Sequence, residues 1–122
     1  MRIDRAQTKR LIWTILVFAV SAAEICYLHQ HEWLLTLLLA LTTVVTLACS
    51  WEWQRALACY VFAAVLGPCG EMLAVHYGAW SYPDPTRLGI PVYLPFAWGL
   101  IVVVIIGMSE SVFVRQASES SE

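Results

Sequence analysis

The stretch from Gly67 to Gly99, GPCGEMLAVHYGAWSYPDPTRLGIPVYLPFAWG, decides the fold of this chain. It begins inside an apolar run and carries a carboxylate, Glu71, well before that run ends. It then passes through a loop rich in proline and aromatic residues and re-enters an apolar run. A carboxylate within an apolar run is costly in a membrane and usually marks a function. The stretch therefore indicates two membrane helices, one of which carries a candidate functional group.

The composition of the whole chain also indicates a membrane protein. Of its 122 residues, 60% are hydrophobic and 13% are charged, whereas a soluble domain has about 25% charged residues. Four apolar runs approach the roughly 20 residues that cross a bilayer as a helix: Leu11–Leu28, Trp33–Trp51, Ala56–Gly78 and Pro91–Phe113. In hydrocarbon the backbone must satisfy its own hydrogen bonds, which favours helices.

These runs predict an all-α fold with four transmembrane helices arranged as two hairpins. A single domain covers residues 1–115, and a disordered polar tail covers residues 116–122. Of the basic residues, only Arg87 falls on the side opposite to the others. Because cytoplasmic loops hold the excess of Lys and Arg, we expect both termini to be cytoplasmic and the protein to be integral to the bacterial inner membrane. The chain has no basic patch, so nucleic acid is not an expected partner.

The N-terminal segment has an alternative interpretation. Its basic start, followed by LIWTILVFAVSAA, is also typical of a signal peptide. The apolar run continues past Glu24 to Leu28, which favours an uncleaved first helix.

The third run predicts a close helix–helix contact. Residues three or four apart on a helix share a face, and one such face holds Cys59, Ala63, Gly67, Glu71, Ala74 and Gly78. Small residues let helices approach closely in lipid, so Glu71 is expected to point at a partner helix. Pro68 predicts a kink near Ala64. The loop at residues 79–90 is apolar and stiffened by proline, and we expect it to fold over the outer end of the bundle.

An internal repeat relates two segments at the same membrane face. Glu24, His29 and Trp33 have the same spacing as Glu71, His76 and Trp80. The repeat predicts that Glu24 and Glu71 share one site, where one of two nearby carboxylates would hold a proton and could act as a general acid. The alternative is that each glutamate makes an ordinary interhelical hydrogen bond.

The sequence favours neither a metal nor a cofactor. Glu71 and His76 lie about 140° apart around a helix, so they cannot bind one ion together. The only lysine, Lys9, lies outside the apolar runs, which excludes a retinal Schiff base. The four cysteines all lie within apolar runs and form no CxxC pair, as is typical of buried hydrophobic side chains.

The order of residues from Gly70 to Trp98 resembles the membrane-bound carotenoid biosynthesis proteins. It is most similar to the bacterioruberin-type carotenoid hydratases and more distantly similar to the lycopene cyclase half-domains. The residues that carry the resemblance are Glu71, Gly78, Tyr82, Leu88, Gly89, Pro91, Pro95 and Trp98. The lycopene cyclase halves have Pro-x-Glu-Glu where this chain has PVYL from Pro91. Because the hydratases are longer, the resemblance implies a homodimer or one half of a pair.

Two functions follow as expectations. In the first, which the resemblance implies, the protein hydrates or cyclises a double bond of an isoprenoid or carotenoid. Glu71 and Glu24 would be catalytic, and the substrate-binding residues would be His76, Trp80, Tyr82 and Trp98. In the second, it is a non-catalytic accessory subunit of a larger membrane complex and binds lipid or pigment between its helices.

The predicted topology can be tested by labelling single cysteines in a chain whose native cysteines are replaced by serine. A cysteine at position 86 should react only from outside the cell, whereas cysteines at positions 5 and 118 should react only from inside. The opposite pattern would contradict the orientation, and labelling of positions 5 and 118 from different sides would contradict four crossings.

Overall fold

The chain forms four α-helices joined by short connections and one longer loop. The computed structural model describes residues 4–83 and 85–119. The helices are α1 (Arg5–Leu28), α2 (Glu32–Ala48), α3 (Trp53–His76) and α4 (Leu94–Glu119). Three of them are long and apolar enough to cross a membrane, and α2 is a shorter apolar helix of 17 residues. The predicted all-α fold with four helices is confirmed.

The helices form a ring in chain order. Each helix packs against the next, and α4 closes the ring against α1. Thr14 near the start of α1 lies beside Gly107 in the second half of α4, so these two helices are antiparallel. α2 and α4 also touch across the middle, whereas α1 and α3 do not contact each other in the described part of the chain. We call the end with the 79–93 loop the loop end, and the end with Arg10 and Arg55 the basic end.

The core lies in the middle of the ring and draws on all four helices. Its buried side chains are Val17, Leu35, Leu39, Tyr60, Leu100 and Val104. The outside of the bundle is also apolar, with large exposed side chains such as Ile12, Phe18, Leu37, Val44, Phe62 and Leu66. Such an exterior would be an aggregation hazard in water and suits contact with lipid.

The tightest packing is between α3 and α4. The indole of Trp98 in α4 lies directly on Gly67 in α3, where a Cβ would overlap the ring. In return, the ring of Tyr60 in α3 lies on Gly99 in α4, where a Cβ would also overlap it. The predicted small face of α3 is therefore a close contact with a partner helix, as small residues at such interfaces allow. We call these four residues the glycine–aromatic seam.

The threonine hydroxyls of α2 are satisfied by the helix that carries them, whereas the buried Ser21 Oγ in α1 has no partner among the described residues. Thr36, Thr42, Thr43 and Thr46 each donate to the carbonyl four residues earlier, at 2.7–2.9 Å. Two of them also bond across the bundle. Thr42 Oγ1 also lies 2.8 Å from Glu24 Oε1, so its single hydrogen is shared between two acceptors, and the hydroxyls of Thr43 and Tyr60 lie 3.0 Å apart. Both roles are those expected for threonine in a membrane helix.

The helix boundaries differ from those that the apolar runs predict. α1 begins at Arg5, because the Asp4 carboxylate caps it by accepting from the Ala6 backbone N–H (3.4 Å). α4 begins at Leu94, so Pro95 stands in its first turn, where proline is tolerated. α4 continues to Glu119, so residues 116–119 extend the helix, and residues 120–122 lie outside the described residues. α3 runs as one helix through Pro68.

Two alanine substitutions in α3 test the seam. Gly67→Ala should destabilise the bundle by about 1–3 kcal/mol, because its methyl group must displace the Trp98 ring. Gly70→Ala is the matched control, since no atom beyond its chain neighbours and the adjacent backbone of α3 lies within 4 Å of the added Cβ. It should be neutral or should stabilise α3 by about 0.5–1 kcal/mol, because alanine favours helix over glycine. Thermal unfolding in detergent measures both, and equal effects would contradict the seam.

Candidate functional site

Glu71 is placed by the face of α3 that packs on α4. It lies one helical turn beyond Gly67 towards the loop end, on the same face as the seam. Its side chain is half-buried. Trp98 lies on Gly67, so this ring packs one turn below Glu71 on that face.

The end of α3 turns the chain back towards Glu71. Gly78 has a φ of +76°, a backbone conformation that glycine adopts without strain. Its N–H donates to the Val75 carbonyl (3.0 Å), and the Ala79 N–H donates to the Ala74 carbonyl (2.9 Å). This is the hydrogen-bond pattern of a Schellman cap, which ends a helix and reverses the chain.

Two side chains of the loop then bind the glutamate. The Trp80 indole N–H and the Tyr82 hydroxyl both donate to Glu71 Oε2, each at 2.9 Å. We call Glu71, Trp80 and Tyr82 the Glu71 cluster. Hydrogen bonds to a charged acceptor are stronger than those between neutral groups. The cluster therefore holds the start of the loop against α3.

The environment of Tyr82 keeps its hydroxyl protonated. Burial, and then the hydrogen bond and charge of Glu71, raise the pKa of Tyr82 from 10.0 to about 12. Tyr82 thus remains a donor across the physiological range. Because its pKa is higher in the folded than in the unfolded protein, its stabilising effect is fully present below pH 10. That effect is lost as the pH rises through about 12.

The rest of the loop is fixed to the bundle at two further points. Gly89 has a φ of +82° and packs on Val75 so closely that a Cβ would lie 3.0 Å from its side chain. The Val92 backbone N–H donates to Glu32 Oε1 (2.6 Å), which ties the entry of α4 to the start of α2. Ile90 between them is buried. The loop therefore folds over this end of the bundle, as the sequence predicts.

Sequence reasoning missed Glu32. The only sequence signal for its role was a carboxylate in the short first connection, at the same end of the bundle as the proline-rich loop. Burial, together with the charge of Glu32, raises the pKa of the neighbouring Tyr93.

Glu24 does not join the Glu71 cluster, and the predicted two-carboxylate site is not formed. Its Oε1 accepts from Thr42 in α2, and its buried Oε2 has no partner among the described residues. The physical reason is the helix order, because α1 and α3 lie on the long diagonal of the ring. Glu24 therefore faces α2, whereas Glu71 faces the loop.

The other members of the internal repeat also differ in their contacts. Trp33 is exposed on α2, whereas Trp80 binds Glu71. His29 Nδ1 lies 3.0 Å from the Cys26 carbonyl. His76 is exposed and lies edge-on to Tyr77, with the ring centroids 5.3 Å apart. Of the predicted site residues, Glu71, Trp80 and Tyr82 thus come together, Trp98 lies nearby, and Glu24 and His76 lie apart.

An open groove of about 860 Å³ runs beside the cluster at the loop end. It lies between the α1–α2 connection and the 79–93 loop, and its lining includes His29, Glu32, Leu34, Tyr82 and Tyr93. Tyr82 belongs to both features, since its ring borders the groove and its hydroxyl binds Glu71. The groove thus has both apolar walls and a few polar groups, which is typical of ligand sites.

In the described ranges, no three His, Cys, Asp or Glu side chains cluster at metal-binding distance. Comparisons of the chain with protein-family models, curated proteins and solved structures returned no match.

Replacing Glu71 tests whether it anchors the loop. Glu71→Leu removes the acceptor, so amide hydrogen exchange in residues 79–82 should become roughly tenfold faster or more. Glu71→Gln keeps an acceptor oxygen and should have a smaller effect. Glu52→Leu, at the basic end, is the control and should leave exchange in the loop unchanged.

The same variants have a second readout. Glu71→Gln should move the pKa of Tyr82 from about 12 towards 10.0 but not all the way, because burial is the larger cause and remains. Absorbance titration against Tyr82→Phe identifies the tyrosine concerned. Unchanged loop exchange in Glu71→Leu would show that the loop is held by other contacts.

Proposed function

We propose that this protein is a small integral membrane protein that binds an isoprenoid or a similar apolar lipid in the loop-end groove without changing it chemically. It would serve as an accessory subunit of a larger membrane assembly. The observation that carries this proposal is the role of Glu71. Its Oε2 accepts two hydrogen bonds from the loop, whereas a general acid donates a proton to its substrate. The geometry thus favours an anchoring carboxylate.

The groove supports a binding function. Its volume falls within the range of about 300–1,000 Å³ that is usual for small-molecule sites. Apolar walls are supplied by Leu34, Pro83 and Pro91, and aromatic ones by Trp33 and Tyr93. An apolar chain that lies along these walls would have part of its surface removed from water or headgroups, which is favourable in proportion to the buried area.

A second candidate is an enzyme that hydrates or cyclises an isoprenoid double bond, with Glu71 as the acid. The observation that favours it is the position of Tyr82, which joins the groove to Glu71. Most residues that carry the resemblance to carotenoid biosynthesis proteins belong to this end of α3, the loop and the first turns of α4. Glu24 has no part in this candidate, because it faces α2.

Two tryptophan substitutions on α2 test the binding proposal. Leu34 lines the groove and Leu37 does not, although both side chains are exposed. Leu34→Trp should reduce the amount of isoprenoid or lipid that co-purifies, as measured by mass spectrometry. If the indole displaces about 60 Å² of ligand surface, the loss is about 1.5 kcal/mol, or roughly tenfold in affinity. Leu37→Trp should retain the ligand, and equal retention in the two variants would contradict the groove as the site.

Product analysis separates the two candidates. The non-catalytic proposal predicts that the wild-type protein returns an added isoprenoid or carotenoid unchanged. If instead a hydrated or cyclised product forms and falls by about 10²–10⁴-fold in Glu71→Gln, the enzyme candidate is correct.

A further inference from the structure

The basic end of the bundle contains a cavity that the loop-end site does not use. It has a volume of about 90 Å³ and lies between α1, α4 and the α2–α3 connection. Its polar and aromatic lining includes Arg10, Trp13, Thr14, Trp51, Arg55 and Glu110. The volume exceeds what a single water molecule needs, so the cavity can admit a polar group of several atoms.

Arg10 offers an unused donor to this cavity. Its guanidinium carbon lies 4.8 Å from the centroid of the Trp51 ring, which fixes the side chain by a cation–π contact. Its Nε is buried and has no hydrogen-bond partner among the described residues. A buried N–H without an acceptor is unfavourable. Arg10 is therefore held in place with a donor for which the described residues supply no acceptor.

The other charges of the cavity are already paired with one another. Arg55 Nη1 lies 2.7 Å from Glu110 Oε1 and 3.4 Å from Glu52 Oε2. Both carboxylates thus lie within ion-pair distance of one arginine, although the buried Glu110 Oε1 makes no hydrogen bond among the described residues. The four charged side chains sum to zero, but Arg10 is the one without an ion-pair partner within the described ranges. Of these four side chains, Arg10 is therefore the one that could pair with an added anion.

We propose that the cavity binds the phosphate group of an anionic membrane lipid, with Arg10 as the principal donor. Guanidinium binds phosphate through paired hydrogen bonds, a geometry that a fixed arginine can offer. Trp13 and Trp51 place the cavity at the level where aromatic side chains meet lipid headgroups. Basic pockets between membrane helices on the cytoplasmic side, where anionic lipids lie, suit such headgroups.

The apolar part of the lining supports a lipid over free phosphate. Val103 and Ile106 of α4 line the cavity beside the charged groups. An acyl chain that leaves the headgroup can lie against these side chains. Inorganic phosphate would gain nothing from that surface. The inference does not depend on the role of Glu71 or on the loop-end groove.

Native mass spectrometry of the detergent-solubilised full-length protein tests the proposal. With phosphatidylglycerol added, the wild-type protein should retain this lipid in preference to phosphatidylcholine. Arg10→Gln should weaken retention by roughly 10–100-fold, because a charge-assisted pair of hydrogen bonds is lost. Lys9→Gln is the matched control, since it removes the same charge at an exposed neighbouring position. It should weaken retention by about fivefold or less, the effect of one basic residue near a membrane.

A third variant separates a loss of lipid binding from a loss of folding. Arg10→Lys keeps the positive charge but removes Nε, so it should fold and still lose most of the preference for phosphatidylglycerol. Equal losses in Arg10→Gln and Lys9→Gln would overturn the proposal in favour of diffuse attraction. Equal retention of the two lipids would also overturn it. Displacement of phosphatidylglycerol by glycerol phosphate at similar concentration would assign the cavity to a soluble phosphate instead of a lipid.

Discussion

The rest of the structure depends on the reciprocal contact of two glycines with two aromatic rings between α3 and α4. Gly67 receives the Trp98 ring and Gly99 receives the Tyr60 ring, so each helix supplies both a small and a large residue. In a membrane there is little hydrophobic driving force between helices, and close packing must supply the attraction. The seam also brings the Tyr60 hydroxyl to Thr43 of α2. The seam and this hydrogen bond together connect three of the four helices, α2, α3 and α4.

The charged side chains at the two ends of the bundle have different kinds of partners. At the loop end, Glu71 and Glu32 each accept hydrogen bonds from the connecting loop, which is thus fastened to α3 and α2. At the basic end, Arg55 is paired with two carboxylates, while Arg10 lies over an aromatic ring and its Nε has no partner in the part of the chain that the structure describes. Carboxylates thus fasten the loop at one end, whereas at the other end an arginine donor is left over by the described residues.

The sequence predicts more of this fold than of its contacts. Hydrophobic run length identified four helices, and the spacing of small residues identified the face of α3 that carries Gly67 and Glu71. The stiff apolar loop predicted that residues 79–90 fold over the outer end of the bundle, but Glu71 was expected to point at a partner helix, and its bonds to Trp80 and Tyr82 were not predicted. The partner of Glu24 did not follow, because periodicity shows which face a residue occupies but not which helix lies opposite. A ring of four helices has two diagonals, and only side-chain fit decides which pair touches.

The shortness of α2 has a consequence for the surrounding bilayer. Its 17 residues extend about 26 Å, less than the roughly 30 Å of a typical hydrocarbon core. The 24 residues of α3 extend about 36 Å. In a bilayer, lipid beside α2 would have to thin, while lipid beside α3 would meet a helix that tilts or protrudes, at a cost of fractions of a kcal/mol per Å. A bilayer around such a bundle would therefore be deformed in opposite senses on its α2 side and on its α3 side.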